Sequence, residues 1–63
     1  MIIEKSTTQR INIEAKEFNG KKYIDIREYY IESLDDPIWK PSKKGVTIPI
    51  DKVGELKEIV ARL

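Results

Sequence analysis

FNGKKYIDIREYY, residues 18–30, predicts a β-hairpin at the centre of the fold. Its Asn-Gly pair favours a tight type I′ turn, because both positions of such a turn need a positive φ. In the preceding segment, residues 10–18, apolar and polar residues alternate with the two-residue period of a half-buried strand. The alternation resumes after the turn, where Ile24 and Ile26 lie on the face that we expect to form the core.

The C-terminal half predicts two shorter strands and a helix. The segment at 32–37, ESLDDP, is rich in turn residues and separates the hairpin from a brief strand at 38–41. A further strand is expected at 45–50, where Pro49 restricts pairing to a sheet edge or a strand end. From Asp51, the expected N-cap, an apolar stripe at helical spacing predicts one amphipathic helix to the end of the chain.

These elements predict a single α+β domain of four short strands and one C-terminal helix over residues 10–63. Residues 1–9 have no sustained period and are expected to form a flexible N-terminal segment. A chain of this length buries only about 60% of its unfolded surface. We therefore expect a homodimer in which the apolar side chains of the helix are covered by the partner. The predicted interface residues are Val53, Leu56, Val60 and Leu63.

Composition excludes several classes of function. The chain has no Cys and no His, so the usual zinc ligands and the commonest general base are missing. We expect no catalysis, no metal and no cofactor. No apolar run approaches the roughly 20 residues of a membrane span, and no signal peptide is recognisable. We expect an intracellular protein, in the cytoplasm or nucleoid of a prokaryotic or viral system or in a eukaryotic nucleus.

Basic and aromatic residues are concentrated in two stretches, although the net charge is only +1. The hairpin carries rings and cations close together, and KPSKK at 40–44 adds three lysines. Binders of single-stranded nucleic acid combine cations that follow the phosphates with rings on which bases stack. This combination predicts a nucleic-acid ligand, with low sequence specificity because every base offers a flat face.

Three stretches of the chain resemble a known family. EFNGKKYIDIREYY at 17–30, WKPSKKGVTIPI at 39–50 and DKVGELKEIV at 51–60 are similar to the single-stranded-DNA-binding domain of the positive cofactor four family of transcriptional coactivators. The resemblance covers roughly residues 10–60, and the chain resembles a minimal prokaryotic or viral form of the family. It implies a curved four-stranded antiparallel sheet, dimerisation through the helices, and binding of single-stranded or melted DNA in transcription regulation, replication or repair.

The resemblance also implies which residues contact DNA. Phe18 matches a phenylalanine that stacks on a base, and Tyr30 stands where many members have tryptophan. The predicted DNA-binding residues are Lys16, Phe18, Lys21, Arg27, Tyr30, Lys40, Lys43 and Lys44. Asn19, which replaces a basic residue, and Trp39, which we expect to pack on the sheet more than to stack, form a second tier.

Two other functions remain open from the sequence. A protein-interaction module could keep this fold and have lost the nucleic-acid ligand. An RNA-binding protein would use the same rings and cations, because only a contact to the 2′-hydroxyl separates RNA from DNA. Proteins of transcription or replication are expected as further partners in either case.

Overall fold

The computed structural model describes all 63 residues as one antiparallel sheet followed by a helix. The four strands lie side by side in chain order. The elements are β1 (Ile2–Glu4), β2 (Gln9–Phe18), β3 (Lys21–Tyr30), β4 (Lys40–Pro49), a 3₁₀ turn (Ile50–Lys52) and α1 (Val53–Arg62). This architecture confirms the predicted α+β fold class.

The central hairpin is confirmed at the predicted position. Asn19 and Gly20 have φ of 51° and 77°, as the Asn-Gly signal requires. Strands β2 and β3 then pair without interruption from Phe18 opposite Lys21 to Gln9 opposite Tyr30. The turn and the alternation of side chains thus set the same register.

The N-terminal segment was predicted wrongly, because regular structure begins at Ile2 and not near Arg10. Strand β1 pairs with residues 10–12 of β2. The N–H of Ile13 also donates to the carbonyl of Met1 at 2.7 Å. A three-residue strand is too short to show a period, and its pairing partner is distant in sequence. These residues form the sheet edge and do not precede the sheet.

In place of the two strands predicted at 38–41 and 45–50, the structure has one strand, β4, that contains a bulge; residues 38, 39 and 50 lie outside it. Ser42, Lys43 and Lys44 stand opposite a single residue of β3, Glu28. The Oγ of Ser42 accepts a hydrogen bond from the N–H of Lys44 at 3.0 Å and holds the bulged backbone. Strand β4 is the other sheet edge and ends at Pro49, as its proline predicts.

The helix starts later than predicted. Asp51 is not its N-cap, since it lies within the 3₁₀ turn. Lys52 occupies the N-cap position and makes no capping hydrogen bond with its side chain. No helix in the structure has the length and apolar character needed to cross a membrane.

Strand alternation gives the sheet two different faces. The face that we call the apolar face carries Ile11, Ile13, Ala15, Ile24, Ile26, Val46 and Ile48. The opposite face, called here the charged face, carries Arg10, Asn12, Glu14, Lys16, Phe18, Lys21, Tyr23, Asp25, Arg27, Tyr29, Gly45 and Thr47.

Little of the chain is buried within a single copy. Only Ile31 and Asp25 are buried, with 6% and 5% of their surface exposed, and the molecule is 17 Å thick along its shortest axis. The helix contacts mainly the 3₁₀ turn before it and does not cover the sheet as a second layer. Its side chains Ile59 and Val60 are more than half exposed.

Candidate nucleic-acid interface

The hairpin end of the charged face presents an exposed ring beside a lysine. Phe18 is 70% exposed although it is a large apolar residue. It stands opposite Lys21, the first residue of β3. A shallow groove of about 260 Å³ lies next to the ring and is lined by Tyr23, Thr47 and Pro49 as well. The ring is therefore not part of a core within a single copy, and its contact with a base stays a prediction.

The middle of the charged face is organised around one carboxylate, Asp25. This residue is 5% exposed, and its two oxygens face two different cations. Nζ of Lys16 lies 3.3 Å from Oδ2, and Nη2 of Arg27 lies 3.4 Å from Oδ1. The three side chains meet because Lys16, Asp25 and Arg27 have the same orientation on two paired strands.

These contacts shift the ionisation of the cluster. Burial acts to raise the pKa of Asp25, but the hydrogen bonds from Lys16 and Arg27 outweigh it and the pKa is lowered from its ordinary value. The hydrogen bond to Asp25, with the attraction of the same carboxylate, raises the pKa of Lys16. The two shifts favour the ionised forms of Asp25 and Lys16, and Glu14 lies beside them with its Oε2 3.9 Å from Nζ of Lys16.

The far end of the charged face contains a residue that the sequence analysis missed, Arg10. Its Cζ lies 3.9 Å from the centre of the Trp39 ring, and its buried Nε has no hydrogen-bond partner. Arg10 stands opposite Tyr29 on β3. The alternation of residues 10–18 already put it on the same face as Lys16, which was the available signal. The guanidinium thus covers one face of the Trp39 ring.

The remaining predicted cations lie along the β4 edge. Lys40 pairs with Glu32 at 3.2 Å, and Lys44 pairs with Glu28 at 3.8 Å. Lys43 makes no ion pair and is exposed within the bulge. Tyr30 stands opposite Lys40, and the alternation of β3 turns its side chain away from the face of Arg27.

Glu28 also pairs with Lys5, a second cation that the sequence analysis did not select. The hydrogen bond from Lys5 lowers the pKa of Glu28 from its ordinary value, and the charge of Lys44 acts in the same direction. Lys5 follows the unpredicted strand β1, so no pattern in the sequence pointed to this contact. Glu28 of β3 is thus shared between Lys5, which follows β1, and Lys44 of β4.

The predicted residues thus fall into two groups. Lys16, Phe18, Lys21 and Arg27 come together on the charged face. Lys40, Lys43 and Lys44 lie at the β4 edge, and Asn19 forms the hairpin turn. Tyr30 lies on the inner strand β3 beside Lys40, with its side chain on the sheet face opposite to that of Arg27. The two groups adjoin at the bulge, because Nη1 of Arg27 donates to the carbonyl of Ser42 at 2.9 Å.

The charged face offers cations and flat groups in a row along the strands. Arg27 stands opposite Asn12, six residues from Phe18 on β2. At about 3.3 Å per residue, the two side chains are about 20 Å apart, with Lys16 between them. No group of three or more His, Cys, Asp or Glu side chains is arranged to hold a metal ion. This arrangement can attract phosphates and stack bases along an extended strand.

Comparison of the sequence with known families gives one match that covers most of the chain. The family described as Transcriptional Coactivator p15 (PC4) matches residues 3–59. A putative RNA polymerase II transcriptional coactivator of Caenorhabditis elegans is 36% identical over 49 residues, which are 78% of this chain and 39% of that protein. The RNA polymerase II transcriptional coactivator KIWI of Arabidopsis thaliana is 36% identical over 45 residues, 71% of this chain and 39% of that protein. The chain spans about two fifths of the length of these relatives.

Two solved structures share the fold. A PC4 homolog from Burkholderia pseudomallei superposes with a TM-score of 0.84 at 24% identity, over 97% of this chain and 87% of that chain. A bacteriophage T5 homolog of the eukaryotic coactivator PC4, implicated in recombination-dependent DNA replication, has a TM-score of 0.64 at 23% identity, over 97% of this chain and 67% of that chain.

Proposed function

This chain belongs to the PC4 family of transcriptional coactivators, and from that premise we propose that it binds single-stranded or melted DNA without catalysis and with little sequence preference. The binding surface is the charged face together with the β4 edge. The process served is transcription or replication, with proteins of that machinery as further partners.

One observation carries the proposal: the fold leaves a large ring exposed in the same row as three cations. Phe18 is 70% exposed beside Lys21, with Lys16 and Arg27 further along the same face. Exposing such a ring to water has no benefit for folding, whereas a base stacked on it contributes about 1 to 3 kcal/mol. Duplex DNA hides the faces of its bases, so this surface favours a single strand.

The proposal includes a homodimer formed through the helices. Two buried residues, of which only Ile31 is apolar, do not make a core, and the helix leaves Ile59, Val60 and Leu63 at least 57% exposed in a single copy. A second copy supplies the same apolar stripe, so a symmetric contact covers both at once. A dimer would also place two charged faces in one particle and strengthen binding to a long strand.

The test is a fluorescence anisotropy titration with an oligothymidylate and with the duplex that it forms with oligodeoxyadenylate, each at several salt concentrations. We expect tighter binding of the single strand throughout, and weaker binding of both as salt rises. Equal affinity for the two forms at every salt concentration would contradict the proposal. An RNA oligonucleotide of the same sequence, measured in parallel, tests the preference for DNA.

A further inference from the structure

The guanidinium of Arg27 lies flat over Gly45, its partner residue on β4. A Cβ built on Gly45 would be 2.8 Å from Cζ of Arg27 and 3.0 and 3.1 Å from Nη1 and Nη2. With C–N bonds of about 1.33 Å, a point 2.8 Å directly above Cζ is about 3.1 Å from each nitrogen. If the Cβ instead lay in the guanidinium plane, between Nη1 and Nη2, its distance to each nitrogen would be only about 2.4 Å with the same bond length. The glycine therefore faces the flat side of the group.

This packing places one flat side of the guanidinium against Gly45 and turns the other side away from the sheet. The Cβ direction of a strand residue points out of the sheet, so the group lies parallel to the sheet surface with its inner side against Gly45. Two of its donors are engaged at its rim, with Nη1 bound to the carbonyl of Ser42 at 2.9 Å and Nη2 to Asp25 at 3.4 Å. The Arg27 side chain is 29% exposed, and the outer flat side is what points away from the sheet.

From this geometry we infer that Arg27 is a stacking platform for a nucleobase of the bound single strand, and that Gly45 and Asp25 are the positioning residues that hold it flat. This inference rests on the proposed function and names the contact that one of its residues makes. Guanidinium planes stack on bases as aromatic rings do. Arg27 and Phe18 then form two stacking positions about 20 Å apart on the charged face.

The alternative role, a clamp on a phosphate, fits the structure less well. A bidentate contact uses two parallel N–H groups at the rim of the guanidinium. Here two donors already serve Ser42 and Asp25, and a phosphate at that rim would approach the carboxylate of Asp25. A neutral base above the plane meets neither obstacle. Lys21, which is exposed and forms no ion pair, remains as a point charge for the phosphates.

The two roles are separated by removing the bases and keeping the charges. The probes are a labelled oligothymidylate and an abasic oligonucleotide of equal length and charge. Arg27→Lys keeps the charge and loses the plane, so we expect at least about fivefold weaker binding of the oligothymidylate, the lower limit for one stacked base. Binding of the abasic strand should change by less than about twofold, because this strand has no base that could stack on Arg27.

Gly45→Ala provides a second variant with no change in charge. Its methyl group would lie 2.8 Å from Cζ of Arg27, so the guanidinium must tilt or move away. We expect the same selective loss on the oligothymidylate. Lys21→Ala is the matched control and should weaken both probes by the same factor, since it removes a charge alone.

If Arg27→Lys weakens the binding of both probes equally, or does not weaken the binding of the oligothymidylate, the inference is wrong. The proposed single-strand binding would still stand in either case. If the unsubstituted protein binds neither probe, the proposed function itself fails, and the inference with it. Thermal unfolding of each variant shows that the comparison is made between folded proteins.

Discussion

At the scale of single residues, Asp25 decides how the cations of the charged face are held. Its carboxylate forms ion pairs with Lys16 of β2 and Arg27 of β3, and the residue is almost completely buried. The two-residue period of the sequence predicted that Asp25 and Arg27 share a face. It did not predict the contact with Lys16, because that contact depends on the register between β2 and β3 and on side-chain directions.

The first prediction concerns Asp25→Asn. Because the folded-state pKa of Asp25 is lowered, its contribution to stability is present above its ordinary pKa near 3.9 and is lost as pH falls through the folded value. At neutral pH we expect the variant to unfold about 4 to 8 °C lower, which corresponds to about 1 kcal/mol in a domain of this size. Circular dichroism melts across the pH range measure this difference.

The difference between the two proteins should shrink in acid, where the wild-type carboxylate also becomes neutral. Glu17→Gln is the matched control, because Glu17 is exposed and forms no ion pair, and its melting curve should follow the wild type at every pH. A constant difference from neutral to acid pH would show that the charge of Asp25 does not matter to folding.

A second prediction separates stacking from charge at the hairpin end. Phe18→Ala should weaken binding to oligothymidylate by about 1 to 3 kcal/mol and leave the salt dependence unchanged, since stacking releases no counterions. Lys21→Ala should instead reduce the slope of log K against log salt by about 0.7. Anisotropy titrations over a range of salt concentrations give both quantities.

Neither variant should lose stability, because both side chains are exposed. If Phe18→Ala lowers the melting temperature and binds normally once folded, the ring belongs to the fold and the stacking role is wrong. An unchanged slope for Lys21→Ala would remove this lysine from the phosphate contacts.

At the scale of elements, the hairpin was predictable and the two edge strands were not. The Asn-Gly turn and the flanking alternation are local signals, and they placed the turn and the apolar side chains of the hairpin correctly, whereas the register of β2 stayed open. Strand β1 has three residues and is held by pairing with a distant segment. The bulge at Ser42–Lys44 broke the alternation of β4, so its two halves looked like separate strands.

The third prediction tests the turn. Gly20 has φ of 77° and open space around its Cβ position, so Gly20→Ala strains only the backbone and should cost about 1 to 2 kcal/mol. Gly54→Ala is the control within α1, where open space and ordinary helical geometry should make alanine stabilising by about 0.5 to 1 kcal/mol. Urea denaturation measures both changes.

Equal effects of the two substitutions would contradict this account of the turn, because both sites have room for a methyl group and they differ in backbone conformation. A stabilising Gly20→Ala would show that the turn does not keep its positive φ in solution.

At the scale of the whole molecule, a sheet with one short helix beside it has no interior of its own. The sequence predicted this shortage from chain length and from the helical stripe. The structure adds that Val53 and Leu56 are half-buried, whereas Val60 and Leu63 are exposed. The first half of the stripe therefore packs against its own chain, whereas the second half is exposed in a single copy.

The fourth prediction follows for assembly. Unfolding of a dimer depends on protein concentration, so the melting temperature should rise as the protein is concentrated. Leu56→Asp places a charge in the stripe and should dissociate or unfold the protein, as sedimentation equilibrium would detect. Glu58→Asp, on the polar side of α1, is the control and should leave the mass unchanged. A folded monomer at micromolar concentration would contradict the proposed dimer.

The central claim is that single-stranded DNA lies on the charged face, and photocrosslinking tests it most directly. An oligonucleotide that contains 5-iododeoxyuridine is bound, irradiated and digested, and the crosslinked residue is identified by mass spectrometry. We expect a crosslink at Phe18, the exposed ring on that face. Efficient crosslinking confined to residues outside the charged face, with none at Phe18, would contradict the claim.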